Sequence, residues 1–243
     1  MNSLETDFFS RTALVVGDEG VEKFKNASVT VAGIGGVGSY AAEALARAGV
    51  GSITLIDSDT IHASNINRQI HALSTNVGFS KVAVMADRLS LVNPALEINV
   101  IQMTITPENV SDILPTQPAV MLDAIDSFSA KVALLSACHS SGITVISSMG
   151  AAGRLDPSRV KVGDISVSQG CRLARKLRKV LRQAGIGKGI TVVYSDEPFE
   201  SGFAVNTCDG NDFRRPLGSI SYMPAIFGMT MAAVAIRTIL GLK

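Results

Sequence analysis

The sequence predicts an α/β fold, a doubly wound parallel sheet followed by a C-terminal extension, and three observations carry that expectation. Short β-branched runs alternate with helix-favouring stretches along most of the chain. The turn "GIGGVG", Gly33 to Gly38, sits between the first such strand and the first clear helix. Of 243 residues, 47% are hydrophobic and 18% charged, a composition that supports a full buried core and excludes a disordered or fibrous chain.

Taken in order, a polar N-terminal segment is expected to be helical around Phe8 to Phe24. Ser28 to Ala32 is short and rich in β-branched residues, Val37 to Ala48 is Ala-rich and stops before Gly49, and Ser52 to Asp57 is a second apolar strand. Val82 to Leu91 reads as a helix ended by Asn93-Pro94, Ile98 to Ile101 as a strand, and Ala119 to Leu122 as a buried strand running into "DAIDS". Helix Phe128 to Ser140 and strand Ile143 to Ser147 complete the wound region. Strand Arg159 to Val162, a basic helix and strand Thr191 to Tyr194 follow, and Ser195 to Pro216 is a polar stretch expected to form a loop over a site.

Three widely spaced cysteines, Cys138, Cys171 and Cys208, contain no CxxC pair, which fits a reducing compartment and offers no zinc site. The N-terminus lacks the basic and apolar regions of a secretory signal, so a cytoplasmic location is expected. Near the end, the apolar run from Ala225 to Ile236 is too short for a bilayer, which needs about 20 residues, and is read as a buried helix, membrane association being the lesser reading.

The glycines fit GxGxxG at Gly33, Gly35 and Gly38, with Asp57 nineteen residues beyond. Turns without Cβ atoms let backbone amides and a helix N-terminus approach a phosphate, while an acid at the end of the next strand takes ribose hydroxyls. A plain tight turn is the bland alternative. The fingerprint does not separate a dinucleotide from ATP, but the sequence continues into "NINRQ", with Asn65, Arg68 and Gln69 within twelve residues of Asp57, and Lys81 thirteen beyond Arg68. Two cations and a carboxamide suit a triphosphate, Arg through paired hydrogen bonds and Lys as a point charge. A solvated loop explains them if they are taken alone.

Asp123 and Asp126 follow a strand, at the edge where open sheets bind ligands. Asp126 is expected to hold Mg²⁺ with phosphate oxygens, and Asp123 to cap the next helix. Between Cys171 and Lys188 lie seven of the 22 Lys and Arg and no acid, leaving 15 basic against 21 acidic residues elsewhere. Arg172, Arg175, Lys176 and Lys179 fall at i, i+3, i+4 and i+7, a stripe suited to RNA phosphates, with Leu173, Leu177, Val180 and Leu181 facing the core. A merely solvated charged helix is the alternative.

The stretches "GIGGVGSYAAEALARAGVGSITLIDSDTIHASNINRQIHAL" and "GFSKV" resemble the ubiquitin-activating-like (E1-like) adenylating enzymes, and "GAAGRLDPSRVKVGDIS", "VVYSDEPF" and "GSISYMPAIFG" extend the resemblance to nearly the whole chain. It implies a Rossmann-like sheet of the E1-like type in one adenylation domain over residues 1–243, with a nucleotide core at 1–150 and a part that handles substrate and tRNA at 151–243. ATP would lie on Gly33, Gly35, Gly36 and Gly38, with Asp57 on the ribose, Asn65, Arg68 and Lys81 on the phosphates, and Asp59 and Gln69 also among the ATP-binding residues. Asp126 would be the Mg²⁺ ligand. Arg68, Lys81, Asp126 and Arg11 would carry catalysis, Arg11 reaching the neighbouring subunit's triphosphate in a homodimer. The C-terminal stretches imply the branch that adenylates the threonine carboxylate of N6-threonylcarbamoyladenosine in tRNA and closes it into a ring with net loss of water.

Three rivals are weighed. Adenylation of a ubiquitin-like or sulfur-carrier protein is disfavoured by the missing cysteine pairs. An NAD-dependent oxidoreductase leaves Asn65, Arg68 and Lys81 unexplained, and His62, His71 and His139 all precede the C-terminal third, where a proton shuttle would be expected. A nucleotide-binding scaffold without activity stays open. So do a monovalent cation (Na⁺ or K⁺), a cysteine desulfurase as sulfur-transfer partner and any role for Cys208, whose acidic segment disfavours a thiolate. DNA is not an expected partner.

Overall fold

The computed structural model describes residues 8–114, 120–198 and 218–242. Seven strands form one sheet in the order β3-β2-β1-β4-β5-β7-β6. They are β1 (Ser28–Ala32), β2 (Ser52–Ile56), β3 (Glu97–Ile101), β4 (Val120–Asp123), β5 (Thr144–Ser148), β6 (Val160–Asp164) and β7 (Thr191–Ser195). The helices are α1 (Ser10–Lys25), α2 (Gly38–Ala48), α3 (Lys81–Val92), α4 (Phe128–Ser140), α5 (Arg172–Gln183) and α6 (Tyr222–Leu240). The expected elements therefore form, with boundaries shifted by one or two residues.

All neighbouring strands run parallel except β6, which pairs antiparallel with β7 from Val160↔Ser195 to Asp164↔Thr191. A parallel return needs a crossover of about a dozen residues, usually helical. The link between β5 and β6 holds only a 3₁₀ turn, Pro157–Arg159, so the chain comes back in the opposite sense. Strands β6 and β7, from the C-terminal third, thus extend the same sheet as the nucleotide-type core.

Two apolar layers cover the sheet. One joins α2, α3 and α6 through Leu45, Met85, Leu89, Phe227 and Met231; the other joins α4 and α5 through Leu134, Leu135, Cys138, Leu177 and Leu181. Burial pushes the Cys138 thiol up to about 12, helped by the charge of Asp123, so it is an inert core group. Helix α1 is broken at Gly17, whose φ of 73° and ψ of 170° no helix accommodates.

The expectation for the last helix changes in one respect. The apolar run is part of a 19-residue helix with mean hydropathy 1.6, long enough by length and composition to cross a membrane. Its Met223, Phe227, Met231, Ala232 and Ala235 are buried, so that face belongs to the protein core.

Candidate nucleotide site and cationic helix

The strand order reverses between β1 and β4, each of which is flanked by strands leading away in opposite directions, and ligands of open α/β sheets bind at the carboxyl ends beside such a switch point. The glycine turn leaves β1 there. Gly33 has φ +89°, and a Cβ on it would stand 2.7 Å from the Ala124 carbonyl oxygen on the turn after β4. A Cβ on Gly38 would stand 1.8 Å from the Gly33 carbonyl, so any side chain there would force the turn open. Gly36 is hemmed in by Pro224 and Arg68, whereas Gly35 has only the Gln69 amide nitrogen within 4 Å, at 3.9 Å. Packing thus requires three of the four glycines, and the fourth presents open backbone. Helix α2 begins beside it with no side-chain cap and no acid in its first turn, which leaves its positive end available to an anion.

Asp57 closes one side of this turn. Its Oδ2 accepts the Ile34 amide at 2.7 Å and its Oδ1 the Asp59 amide at 2.9 Å. Asp59, the second acid expected at the nucleotide, pairs with Lys81: Nζ to Oδ2 is 2.6 Å, with the Lys81 side chain 7% exposed and that of Asp59 60%. The two segments are tied by the Thr60–Ser80 bridge and by Lys81 N donating to Asp59 O at 3.0 Å. An ion pair made across 22 residues of loop leaves no periodic signal in the sequence.

A 3₁₀ turn, Ala63–Asn65, leads into the "NINRQ" cluster, whose residues 66–68 continue as a turn. Asn65 is buried, and its Oδ1 accepts the His62 amide at 3.0 Å, so that oxygen holds the turn itself. Arg68 is half-buried, donates from Nη1 to Ser64 O at 2.8 Å and Asn67 Oδ1 at 2.9 Å, and pairs with no acid among the described residues. Gln69 is buried and its Oε1 has no partner, an orphaned polar atom beside the open glycine. These residues fit ATP: open backbone at Gly35, the unpaired Arg68 guanidinium, the buried Gln69 amide in want of a partner and the Asp57 carboxylate all border one glycine turn.

The turn after β4 carries the two acids, and here one expectation is corrected. Asp123 is not a helix cap. It is fully buried and accepts from Lys131 Nζ at 2.6 Å, Ser147 Oγ at 2.6 Å and the Ile125 amide at 3.2 Å. The helix α4 begins at Phe128, after Ser127, with no side-chain cap. Asp126 is exposed on the turn between them. No group of three His, Cys, Asp or Glu suited to a metal occurs among the described residues. A single carboxylate beside a phosphate crevice fits Mg²⁺, which takes one or two carboxylates and completes its shell with phosphate oxygens and water.

Arg11 is exposed on α1, away from this crevice. Phe9, two residues before it, packs on Gly49, with ring atoms 3.1 Å from where a Cβ would stand. Gly49 lies at the far end of α2, about 16 Å from its start at 1.5 Å per residue. The chain does not bring Arg11 to its own glycine turn.

On α5, Ala174, Leu177 and Leu181 are buried and Leu173 and Val180 only half so, a narrower core face than expected because Ala174 takes a place in it. Arg172, Arg175, Lys176 and Lys179 are exposed along the stripe. Arg178 is structural: its Nη1 donates to Ser168 O and Oγ, each at 2.5 Å, and to Ile165 O at 3.2 Å. Lys176 Nζ stands 4.1 Å over the Phe128 ring, so the middle of the stripe lies beside the first residue of α4, two past Asp126.

Sequence reasoning misses Lys131, and also Arg154, a buried guanidinium that donates to the Glu197 carbonyl and, at 3.3 Å, to Gly170 O. Glu197 returns its carboxylate to the Leu155 and Asp156 amides at 3.0 Å. Cys208 and most of the Ser195 to Pro216 stretch lie outside the described residues.

His71 has a structural part that the sequence does not announce. It is buried with neither ring nitrogen partnered, and burial, reinforced by the Lys81 and Arg88 charges, pushes its pKa from 6.5 to about 4. The unfolded chain therefore binds the extra proton first. The contribution is complete above about pH 6.5 and is lost as pH falls towards 4, a loss of about 3 kcal/mol. His71→Gln should show a shallower fall in Tm between those pH values than the parent; equal slopes would contradict this.

A ThiF family profile matches residues 9–243. The chain belongs to the ThiF family. It is 39% identical over 239 residues to the tRNA threonylcarbamoyladenosine dehydratase of Bacillus subtilis (strain 168), covering 96% of this chain and 94% of that one. It is 41% identical over 196 residues to the enzyme of that name from Escherichia coli (strain K12), covering 78% and 73%. Among solved structures, the E. coli dehydratase TcdA in complex with ATP superposes with a TM-score of 0.90 at 35% identity, covering 99% of this chain and 96% of that one. In this ThiF-family chain the adenylating core and the C-terminal third are matched together.

Proposed function

We propose that the chain is an ATP-dependent tRNA threonylcarbamoyladenosine dehydratase. One observation carries the reading: the B. subtilis dehydratase matches over 96% of this chain, including the C-terminal third that holds the cationic helix and closes the sheet. The nucleotide crevice alone would fit any adenylating member of the family.

In the reaction, the threonine carboxylate of the modified nucleoside attacks the α-phosphate of ATP, pyrophosphate departs, and an acyl-adenylate forms. A nucleophile in the same molecule then attacks the acyl carbon and AMP leaves with the former carboxylate oxygen, which accounts for the net loss of water. Holding both groups in one molecule makes the second step fast without a covalent enzyme intermediate. Gly35 and the start of α2 cradle phosphate, Asp57 orients the ribose, and Arg68 and Lys81 meet the negative charge that grows on the phosphates as the bond breaks. Asp126 would hold Mg²⁺ against phosphate oxygens, and the bound ion would supply further charge neutralisation for the departing pyrophosphate.

The remote position of Arg11 supports a homodimer in which each α1 serves the partner's triphosphate. The exposed Leu14 and Val15 on the same helix give that face apolar area to bury. The face of α6 packed into the core supports a cytoplasmic enzyme.

Pyrophosphate exchange into ATP separates this reading from the activation of a carrier protein. The exchange should depend on tRNA bearing threonylcarbamoyladenosine and not on the C-terminus of a sulfur-carrier or ubiquitin-like protein. The reverse dependence would transfer the chain to the carrier-activating branch.

A further inference from the structure

We infer that the buried Lys131–Asp123 ion pair, together with Ser147, is a positioning device that fixes the turn bearing Asp126 and thereby sets how strongly Mg²⁺ enhances ATP binding. The inference rests on the nucleotide reading of the crevice.

Both charged side chains are fully hidden from solvent, and the pair is 2.6 Å apart. Lys131 also donates to Ser148 O at 3.1 Å and Ser147 Oγ lies 3.4 Å from its Nζ, so the ammonium has partners on both β4 and β5. The carboxylate has Lys131 and Ser147 on one oxygen and the Ile125 amide on the other. Such a pair is a poor way to gain stability, because taking two charges out of water offsets their attraction and apolar replacements of similar volume often match it. Its value lies in geometry.

That geometry brackets one short turn. Asp123 is its first residue and the last of β4; Lys131 lies in α4, one helical turn past Ser127, whose carbonyl accepts the Lys131 amide at 3.0 Å. Asp126 is the exposed residue between these anchors. On the other side, Ala124 N donates to Ala32 O at 2.8 Å, and the Ala124 carbonyl presses on Gly33. The turn is therefore held by an ion pair from behind and by the glycine loop in front, and Asp126 has little freedom to move relative to the phosphate crevice. A carboxylate held this way meets a metal–phosphate complex without first losing conformational freedom.

The test is a thermodynamic cycle read by ATP binding to the purified full chain, with and without Mg²⁺. It needs no tRNA, so failure of the dehydration reaction would leave it readable. Lys131→Met with Asp123→Asn keeps side-chain volumes and removes both charges. This double variant should fold with a Tm within about 5 °C of the parent, yet lose about tenfold of the Mg²⁺ enhancement of ATP affinity, while metal-free ATP affinity changes less than about threefold. Asp126→Asn should abolish the enhancement, and adding it to the double variant should cause little further loss. Unchanged enhancement in the double variant, or losses that simply add, would overturn the inference. If the double variant does not fold, Ser147→Ala, which leaves the ion pair in place, should still lower the enhancement about threefold, and parent-like behaviour there would overturn it equally.

Discussion

Arg68→Ala and Lys81→Met are each expected to lower turnover by about 10²–10³-fold, the size of effect seen when one donor to developing charge is removed. Arg68 makes no ion pair in the described structure, so its guanidinium is free to direct its charge to phosphate. Its loss removes only two local hydrogen bonds, and the fold should survive. For Lys81, methionine is the sharper variant than alanine because the stem is buried and methionine fills the same space. Removing the ammonium leaves Asp59 unpaired, but that carboxylate is largely in water and loses little. Steady-state turnover, together with ATP affinity and Tm, checks this. Near-normal turnover in both variants, with the parent Tm, would remove them from the chemistry.

Reversing the stripe by Arg175→Glu and Lys179→Glu is expected to weaken tRNA binding by more than about tenfold while ATP affinity stays within about twofold. Both residues are exposed, and neither pairs with an acid among the described residues. For each phosphate that the helix no longer neutralises, the dependence of log affinity on log salt should also flatten by about one unit. Arg178 is the control to avoid, because it pins α5 to the turn before it and its reversal would disturb the fold. Filter binding of tRNA across a salt series reads the effect. Unchanged affinity and slope would make α5 a solvated helix with no part in recognition.

The fold is legible in the sequence because periodicity and turn chemistry are local. The strand, glycine turn, helix and acid from Ser28 to Asp57 are written in consecutive residues, and the structure returns them in register, β1 with β2 from Ser28↔Ser52 to Ala32↔Ile56. The antiparallel course of β6 is not legible, since it follows from a missing crossover and not from any property of Val160–Asp164 itself.

The site is legible in part. Residue types mark Gly35, Asp57, Arg68 and Gln69, and the structure gathers them. Which polar group answers which is beyond a sequence reading. Asp59 pairs with Lys81, 22 residues along, and Asp123, expected as a cap, meets Lys131, eight residues along, and Ser147, 24 residues along. Buried pairs of this kind obey no spacing rule, because the partners meet only after the sheet has formed. An acid at a strand end followed by a lysine two helical turns on is the one available hint. Gly36 and Gly38 look like phosphate contacts, yet packing against Pro224 and the Gly33 carbonyl already demands them.

The most direct test of the account is product analysis. The purified chain, ATP and Mg²⁺ are incubated with tRNA carrying threonylcarbamoyladenosine, the RNA is digested, and the nucleosides are weighed by mass spectrometry. The account predicts a nucleoside lighter by one water that appears only with ATP, alongside AMP and pyrophosphate. An unchanged nucleoside, from a chain that binds both ATP and this tRNA, would contradict it.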